Sequence, residues 1–256
     1  MPGQDLQISQ QELVFIFTTT VVFLALLITF FFIIIITYYR TNARRQKELL
    51  RAIVETQENE RDRIAMDMHD ELGPLLSAVK LQVGSLKSTV PVEMNSTLIE
   101  TEDLLDDAIG EIRQIIRDLV PRNIDQKGLH GVLNDLKVHF ETFAAVKVQL
   151  VFKSPEQRFS LQSEINIYRI IQEIVNNAAK HAQSEEVTIS LNGNEDRLKI
   201  EVADAGKGFD TSLISAGSGL KNIETRIKLN DGEYQVKSEP GKGTHYLISF
   251  EKKKLV

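Results

Sequence analysis

Apolar and polar residues follow four different patterns along the chain. From Leu13 to Tyr39 no charged residue occurs, and Val21 to Ile36 is almost wholly Phe, Leu, Ile and Val. About 27 such residues, each rising about 1.5 Å, exceed the roughly 30 Å hydrocarbon thickness of a bilayer, so the segment predicts a membrane-spanning helix. Thr18, Thr19 and Thr20 can bond back to helix carbonyls and need not interrupt it. Thr41 to about Lys87 is charged and helix-favouring, and Ile64, Met68, Leu72, Leu75, Val79, Val83 and Leu86 recur at steps of three and four as one apolar stripe. Pro74 removes an amide and crowds the carbonyl of Asp70, which predicts a bend one turn beyond His69. Ser88 to Pro91 reads as a break. A second helix runs from about Met94 to Val120, with Leu98, Leu104 or Leu105, Ile109, Ile112, Ile116 and Leu119 on one side, and Pro121 closes it.

After Asp125 the pattern mixes two periods. Leu129 to Phe143, Leu161 to Ala182 and Leu220 to Leu229 read as helices, and Lys147 to Lys153 alternates as a strand. Val187 to Asn192 and Leu198 to Asp204 are strands around an Asn-Gly-Asn turn. Tyr234 to Ser238 and Thr244 to Phe250 are paired strands around Pro240-Gly241-Lys242-Gly243. The predicted fold class is α+β: a single transmembrane helix, a helical hairpin, then an α/β sandwich with helices on one face of a largely antiparallel sheet. A two-helix hairpin cannot bury its stripe alone, and pairing two copies into a four-helix bundle solves that. A plain coiled-coil spacer fits the same periodicity.

Charge decides the orientation of the span. Arg40, Arg44, Arg45 and Lys47 follow Tyr38 and Tyr39, whereas only Asp5 and Glu12 precede the apolar run. The positive-inside rule then places the N-terminus outside and the remainder in the cytoplasm, as a single-pass protein of the cell membrane. A cleaved signal peptide fits poorly, because the apolar run is too long and lacks a basic start or a small-residue cleavage site. The net charge of −6 gives no basic footprint for direct nucleic-acid binding. The absence of cysteine excludes disulfides, thiolate catalysis and cysteine-ligated zinc.

Candidate chemistry sits in four places. His69 lies one residue off the apolar stripe with Asp70 beside it, and an imidazole oriented by a carboxylate is a usable nucleophile near neutral pH. Glu173, Asn177 and Lys180 fall at helical spacing, where they can gather a hard cation and phosphate oxygens, although a solvated helix face has the same pattern. Asp204-Ala-Gly206-Lys-Gly208 ends an apolar strand, so its carboxylate can accept an exocyclic amine while the glycines let backbone pass close to a planar ring. An ordinary glycine turn reads the same way. Gly217-Ser-Gly219-Leu220 precedes a helix and offers amides to a polyphosphate, or is simply a flexible loop.

Taken in order, these pieces resemble a membrane-bound sensor histidine kinase of two-component signalling, of the nitrate-sensor and desaturase-regulator type. The family's E-x-x-R-I-A-x-x-x-H-D is matched by Glu60, Arg63, Ile64, Ala65, His69 and Asp70, and Glu111 to Pro121 is similar to its second bundle helix. The later part resembles the ATPase fold shared by gyrase, heat-shock chaperones, histidine kinases and mismatch-repair proteins. The resemblance implies that Asn177 holds magnesium with Glu173 and Lys180 beside it. It also implies that Asp204, Gly206 and Gly208 recognise adenine, that Gly217, Gly219 and Leu220 form the second glycine box, and that Gly241, Gly243 and Thr244 form a closing G-x-G-T. The lid between Gly208 and Gly217 is short.

On this resemblance the chain divides into a short extracytoplasmic tail (1–12), the transmembrane helix (13–39), a helical linker (40–59), a dimerisation and histidine-phosphoacceptor hairpin (60–121) and an ATP-binding catalytic domain (122–256). His69, Asp70 and Glu173 form the expected catalytic set; the nucleotide contacts are Asn177, Lys180, Asp204, Gly206, Gly208, Gly217, Gly219, Leu220 and Thr244. ATP and Mg2+ are the implied cofactors. The implied partners are a second copy of the chain and a cytoplasmic response regulator of DNA-binding type; the short expected outer tail separately points to a lipid or a partner membrane protein in sensing. The family's phosphatase activity uses Gln five residues after the histidine, or Thr or Asn four after it. Pro74 and Gly73 stand there instead, which puts that activity in doubt.

Overall fold

The computed structural model describes residues 10–86, 91, 94–119, 121, 124–155, 157–210 and 218–256. The expected tail up to Ser9, the break at Ser88 to Val90, Gly217 and most of the expected lid fall outside these residues. The chain forms two units, Met1–Ile53 and Val54–Val256.

The described residues of the first unit form one continuous stretch of helix, the early part of α1 (Gln10–Asp67). Its apolar residues are exposed on every side, from Leu13 and Phe15 to Tyr38 and Tyr39. The hydroxyls of Thr18, Thr20, Thr29 and Thr37 donate to the carbonyls four residues earlier, at 2.7–3.0 Å. Each polar group inside the run is thereby satisfied within the helix, as an apolar solvent demands. The helix is long and apolar enough to cross a membrane.

In the second unit the end of α1 passes into a π turn, Met68–Leu72, and then into α2 (Gly73–Leu86). Gly73 keeps helical angles, φ −59° and ψ −56°. The expected bend beyond His69 is therefore met differently: the helix widens around His69 itself and continues. Pro74 has no amide to offer Asp70 and its ring would crowd that carbonyl, and the wider turn relieves the crowding without ending the helix. α3 (Asn95–Leu119) returns alongside α2, with Lys80 Nζ donating to Asp106 Oδ1 across the pair at 2.5 Å. Leu75, Leu81, Ile99, Leu104 and Ile115 remain exposed on this hairpin.

The sandwich begins with α4 (Ile124–Phe143), which is broken at Gly128 (φ 65°, ψ 179°), so its regular part starts at Leu129 as the periodicity predicts. Five strands follow: β1 (Lys147–Phe152), β2 (Glu186–Gly193), β3 (Arg197–Asp204), β4 (Glu233–Ser238) and β5 (Thr244–Glu251). They lie in the order β1-β2-β3-β5-β4; β1 and β2 are parallel and the other pairs antiparallel. α5 (Leu161–Asn177) lies between the two parallel strands in sequence, and α6 (Ser218–Leu229) between β3 and β4.

One face of the sheet carries Val187, Ile189, Ile200, Val202, Ile248 and Phe250, which join α4, α5 and α6 in a single core. Ile167, Ile170, Ile171 and Ile174 of α5 are almost fully buried there, each contributing roughly 1.5–3 kcal/mol. This packing fixes the pitch and rotation of α5, and so fixes which of its residues face away from the core.

Candidate active site

A cavity of about 500 Å³ opens where α5, the ends of β3 and β5 and the start of α6 converge. Glu173, Asn177, His181, Asp204, Gly208, Phe209, Gly219, Leu220, Thr244 and Tyr246 line it, with Ile174, Ala178 and Ala182. Topology brings these together. Asp204 ends β3 and Thr244 begins β5, and the antiparallel register sets them directly opposite each other.

Backbone approach shapes the walls. The amide of Gly206 donates to Asp204 Oδ1 at 2.9 Å, which turns the chain back over the strand end. A Cβ on Gly206 would stand 2.5 Å from the carbonyl oxygen of Ala182, so the turn can lie flat against the end of the α5 region only without a side chain. Gly208 (φ 58°) and Gly243 (φ 74°) are left-handed, and a Cβ on either would fall within 2.1 Å of a backbone oxygen. Ser238 Oγ accepts from the Phe209 amide and donates to the Gly243 carbonyl, both at 2.9 Å, tying the two glycine turns to β4.

Burial pushes the Tyr246 phenol up to about 12, reinforced by the negative charges of Asp204, Tyr234 and Glu173. It therefore stays neutral where it lines the cavity.

Of the expected nucleotide contacts, Asn177, Asp204, Gly208, Gly219, Leu220 and Thr244 line the cavity, as does Glu173, whereas Lys180 does not. Lys180 is exposed. After Asn177 the helix widens into a second π turn, Ala178–Ala182, and the changed angle per residue carries Lys180 off the face that Glu173 and Asn177 share. Gly206 acts beneath the cavity, through its seat on Ala182. Gly217 lies outside the described residues. Phe209 and Tyr246 had no motif to announce them, although the alternation of β5 sets Tyr246 on the same face as Thr244.

His69 and Asp70 stand exposed on the first π turn, and neither lines the cavity. Nearly two turns earlier, Arg63 is held by Glu60 at 2.6 and 2.9 Å and by Asp67 at 2.7 Å, which stiffens the exposed helix face leading to His69. Ala65 is buried.

Residues 60–123 match a family model described as histidine kinase, and residues 162–254 match one described as histidine kinase-, DNA gyrase B-, and HSP90-like ATPase. The chain thus carries a histidine kinase domain followed by a histidine kinase-, DNA gyrase B-, and HSP90-like ATPase domain, the order found in two-component histidine kinases. It is similar to the oxygen sensor histidine kinase NreB of Staphylococcus carnosus, with 29% identity over 202 residues, 78% of this chain and 58% of that protein. It thus spans less than two thirds of that relative's length. Among solved structures it is similar to the histidine kinase domain of the blue-light activated histidine kinase of Erythrobacter litoralis, at 15% identity and a TM-score of 0.49, over 71% of this chain and 96% of that one. A mycobacterial sensor histidine kinase, MprB, is similar at 14% identity and a TM-score of 0.36, over 46% of this chain and 89% of that one.

Proposed function

We propose that the chain is an ATP-dependent protein-histidine kinase that phosphorylates His69 and passes the phosphoryl group to an aspartate of a separate response regulator. The observation that carries this reading is the cavity: a carboxylate at a strand end, an amide side chain on a helix and the first turn of α6 converge on one space. Asp204 accepts the adenine amine there. The first-turn amides of α6 and the glycine backbone take the phosphates. Asn177 and Glu173 are adjacent hard oxygen donors suited to magnesium. Among the described residues no group of three carboxylates and imidazoles gathers to cage a metal. Magnesium commonly takes one or two protein oxygens and completes its shell with phosphate and water. Magnesium bound there would neutralise charge on the phosphate oxygens.

The chemistry asked of the protein is mainly positioning. A ring nitrogen of His69 attacks the γ-phosphorus, the bond to the β-phosphate oxygen breaks, and ADP leaves. Asp70 orients the imidazole or takes its proton. The exposed apolar residues of the α2–α3 hairpin support pairing with a second copy, as a four-helix bundle. Arg40, Arg44, Arg45 and Lys47 support a single span with the catalytic part in the cytoplasm. A lipid or a partner membrane protein would then supply the stimulus, and the regulator would be of DNA-binding type.

Incubation with γ-labelled ATP tests the reading. Acid-labile label is expected on the parent chain and none on His69→Gln. A His69→Gln chain that labels equally would overturn the assignment.

A further inference from the structure

Glu58 lies on α1 about three turns before His69, outside both the cavity and the phosphoacceptor turn. It is nevertheless buried, at 8% exposure, on a helix whose neighbouring residues Gln57 and Asn59 face solvent. A carboxylate is buried only when paired. Its partners come from the nucleotide domain. Arg169 of α5 donates to Glu58 Oε2 from Nη2 at 2.7 Å and from Nε at 3.0 Å. Arg226 of α6 donates to Oε1 from Nη2 at 2.6 Å. Arg169 also donates to the carbonyl of Leu119, at the end of α3.

These partners have a particular place. Arg169 is one turn before Glu173 on α5, and Arg226 lies on the helix that opens with Gly219 and Leu220. Arg226 further donates to Asn166 of α5 at 2.9 Å, so the two guanidiniums already belong to one frame. One carboxylate therefore grips both helices that wall the cavity. In this seat the cavity is lined by residues 173–246 alone, and His69 is not among them. The seat thus holds the nucleotide domain with His69 outside its cavity.

The physics suits a seat that opens. An apolar interface would expose its area at full cost, whereas on opening here three charged groups regain water, which offsets much of the lost attraction. Such a contact adds little net stability but is strict about position. One residue along a helix is about 100° around it, so a carboxylate moved by one residue no longer meets both guanidiniums. Burial disfavours the charged carboxyl, but the Arg169 guanidinium, then Arg226 and Arg61, outweigh it and hold Glu58 below the usual carboxylate range.

We propose that Glu58, Arg169 and Arg226 form an autoinhibitory ion latch, which seats the nucleotide domain on the stem away from His69 and is released when α1 turns or shifts. This rests on the kinase reading for its consequence, though not for the seat itself. The test uses the full chain in lipid nanodiscs. Because the chain has no cysteine, Asn59→Cys and Lys199→Cys, both at exposed positions, supply unique spin-label sites. Glu58→Gln is expected to broaden and lengthen the label-to-label distance and to raise His69 labelling by roughly tenfold or more, as loss of one partner of a buried charged pair commonly does to a docking equilibrium. Gln57→Glu combined with Glu58→Gln keeps the charge but moves it off the face, and is expected to behave as Glu58→Gln does. An unchanged distance, a labelling rate that stays level or falls, or full docking in the double variant would overturn the latch. Absence of label in every chain would defeat the kinase reading while the distance still judges the seat.

Discussion

Gly219 stands so close to Glu173 that a Cβ at position 219 would lie 2.3 Å from Glu173 Oε1. The first turn of α6 and the C-terminal part of α5 therefore meet through a carboxylate and a bare backbone, at the cavity that both residues line. The atom in the way is the end of a flexible side chain, so a methyl group here would displace Glu173 and leave the helices in place. Gly219→Ala is expected to weaken nucleotide binding by roughly tenfold, about 1.4 kcal/mol. Stability should change by less than about 1 kcal/mol, since alanine favours the helix. Titration with a fluorescent ATP analogue and a thermal melt separate the two effects.

The glycines of the two turns tied by Ser238 behave differently. Gly208 and Gly243 have positive φ, and the obstacles to a Cβ are the backbone oxygens of Glu239 and Asp204, which cannot swing aside. Gly208→Ala and Gly243→Ala are each expected to cost about 2 kcal/mol or more in stability. Denaturant unfolding of each variant against the parent measures the loss.

Ser238 joins the two glycine turns with one hydroxyl, accepting from Phe209 and donating to Gly243. Ser238→Ala leaves the Phe209 amide without that acceptor and should cost about 1–2 kcal/mol. Amide hydrogen exchange should accelerate at Phe209 and much less in the β2–β3 hairpin, where Asn194 Oδ1 still caps the amides of Asp196 and Arg197.

Tyr246 gives an alkaline signature. Its pKa rises from 10.0 to about 12 on folding, chiefly through burial and then through the nearby carboxylates. The folded state thus holds the phenolic proton more tightly than the unfolded state. That contribution is fully present below pH 10 and is lost as the pH climbs through about 12, a change on the order of 2–3 kcal/mol. Tyr246→Phe should flatten the fall in stability between pH 10 and 12, read from denaturant midpoints across that range.

Much of this molecule was legible along the chain because it depends on local periods. The uncharged run to Tyr39, the alternation of β5 and the spacing of Ile167, Ile170, Ile171 and Ile174 state their own geometry. The two π turns were less legible. Pro74 announced trouble but not its form, since a helix can bend or widen to accommodate a proline. Lys180 shares a face with Asn177 on an unbroken α-helix, whereas after the wider turn it is exposed and does not line the cavity.

By itself the sequence determined the elements, the apolar span and the order of the nucleotide-binding pieces, because each follows from spacing within a short window. The register that sets Asp204 opposite Thr244, the addition of Phe209 and Tyr246 to the cavity, and the burial of Glu58 between Arg169 and Arg226 were decided only by the tertiary structure. Glu58 and Arg226 are 168 residues apart, and on their own helices each reads as an ordinary solvated charge. Attraction between such groups depends on their separation in space and on the water excluded around them, and neither is written in a local pattern.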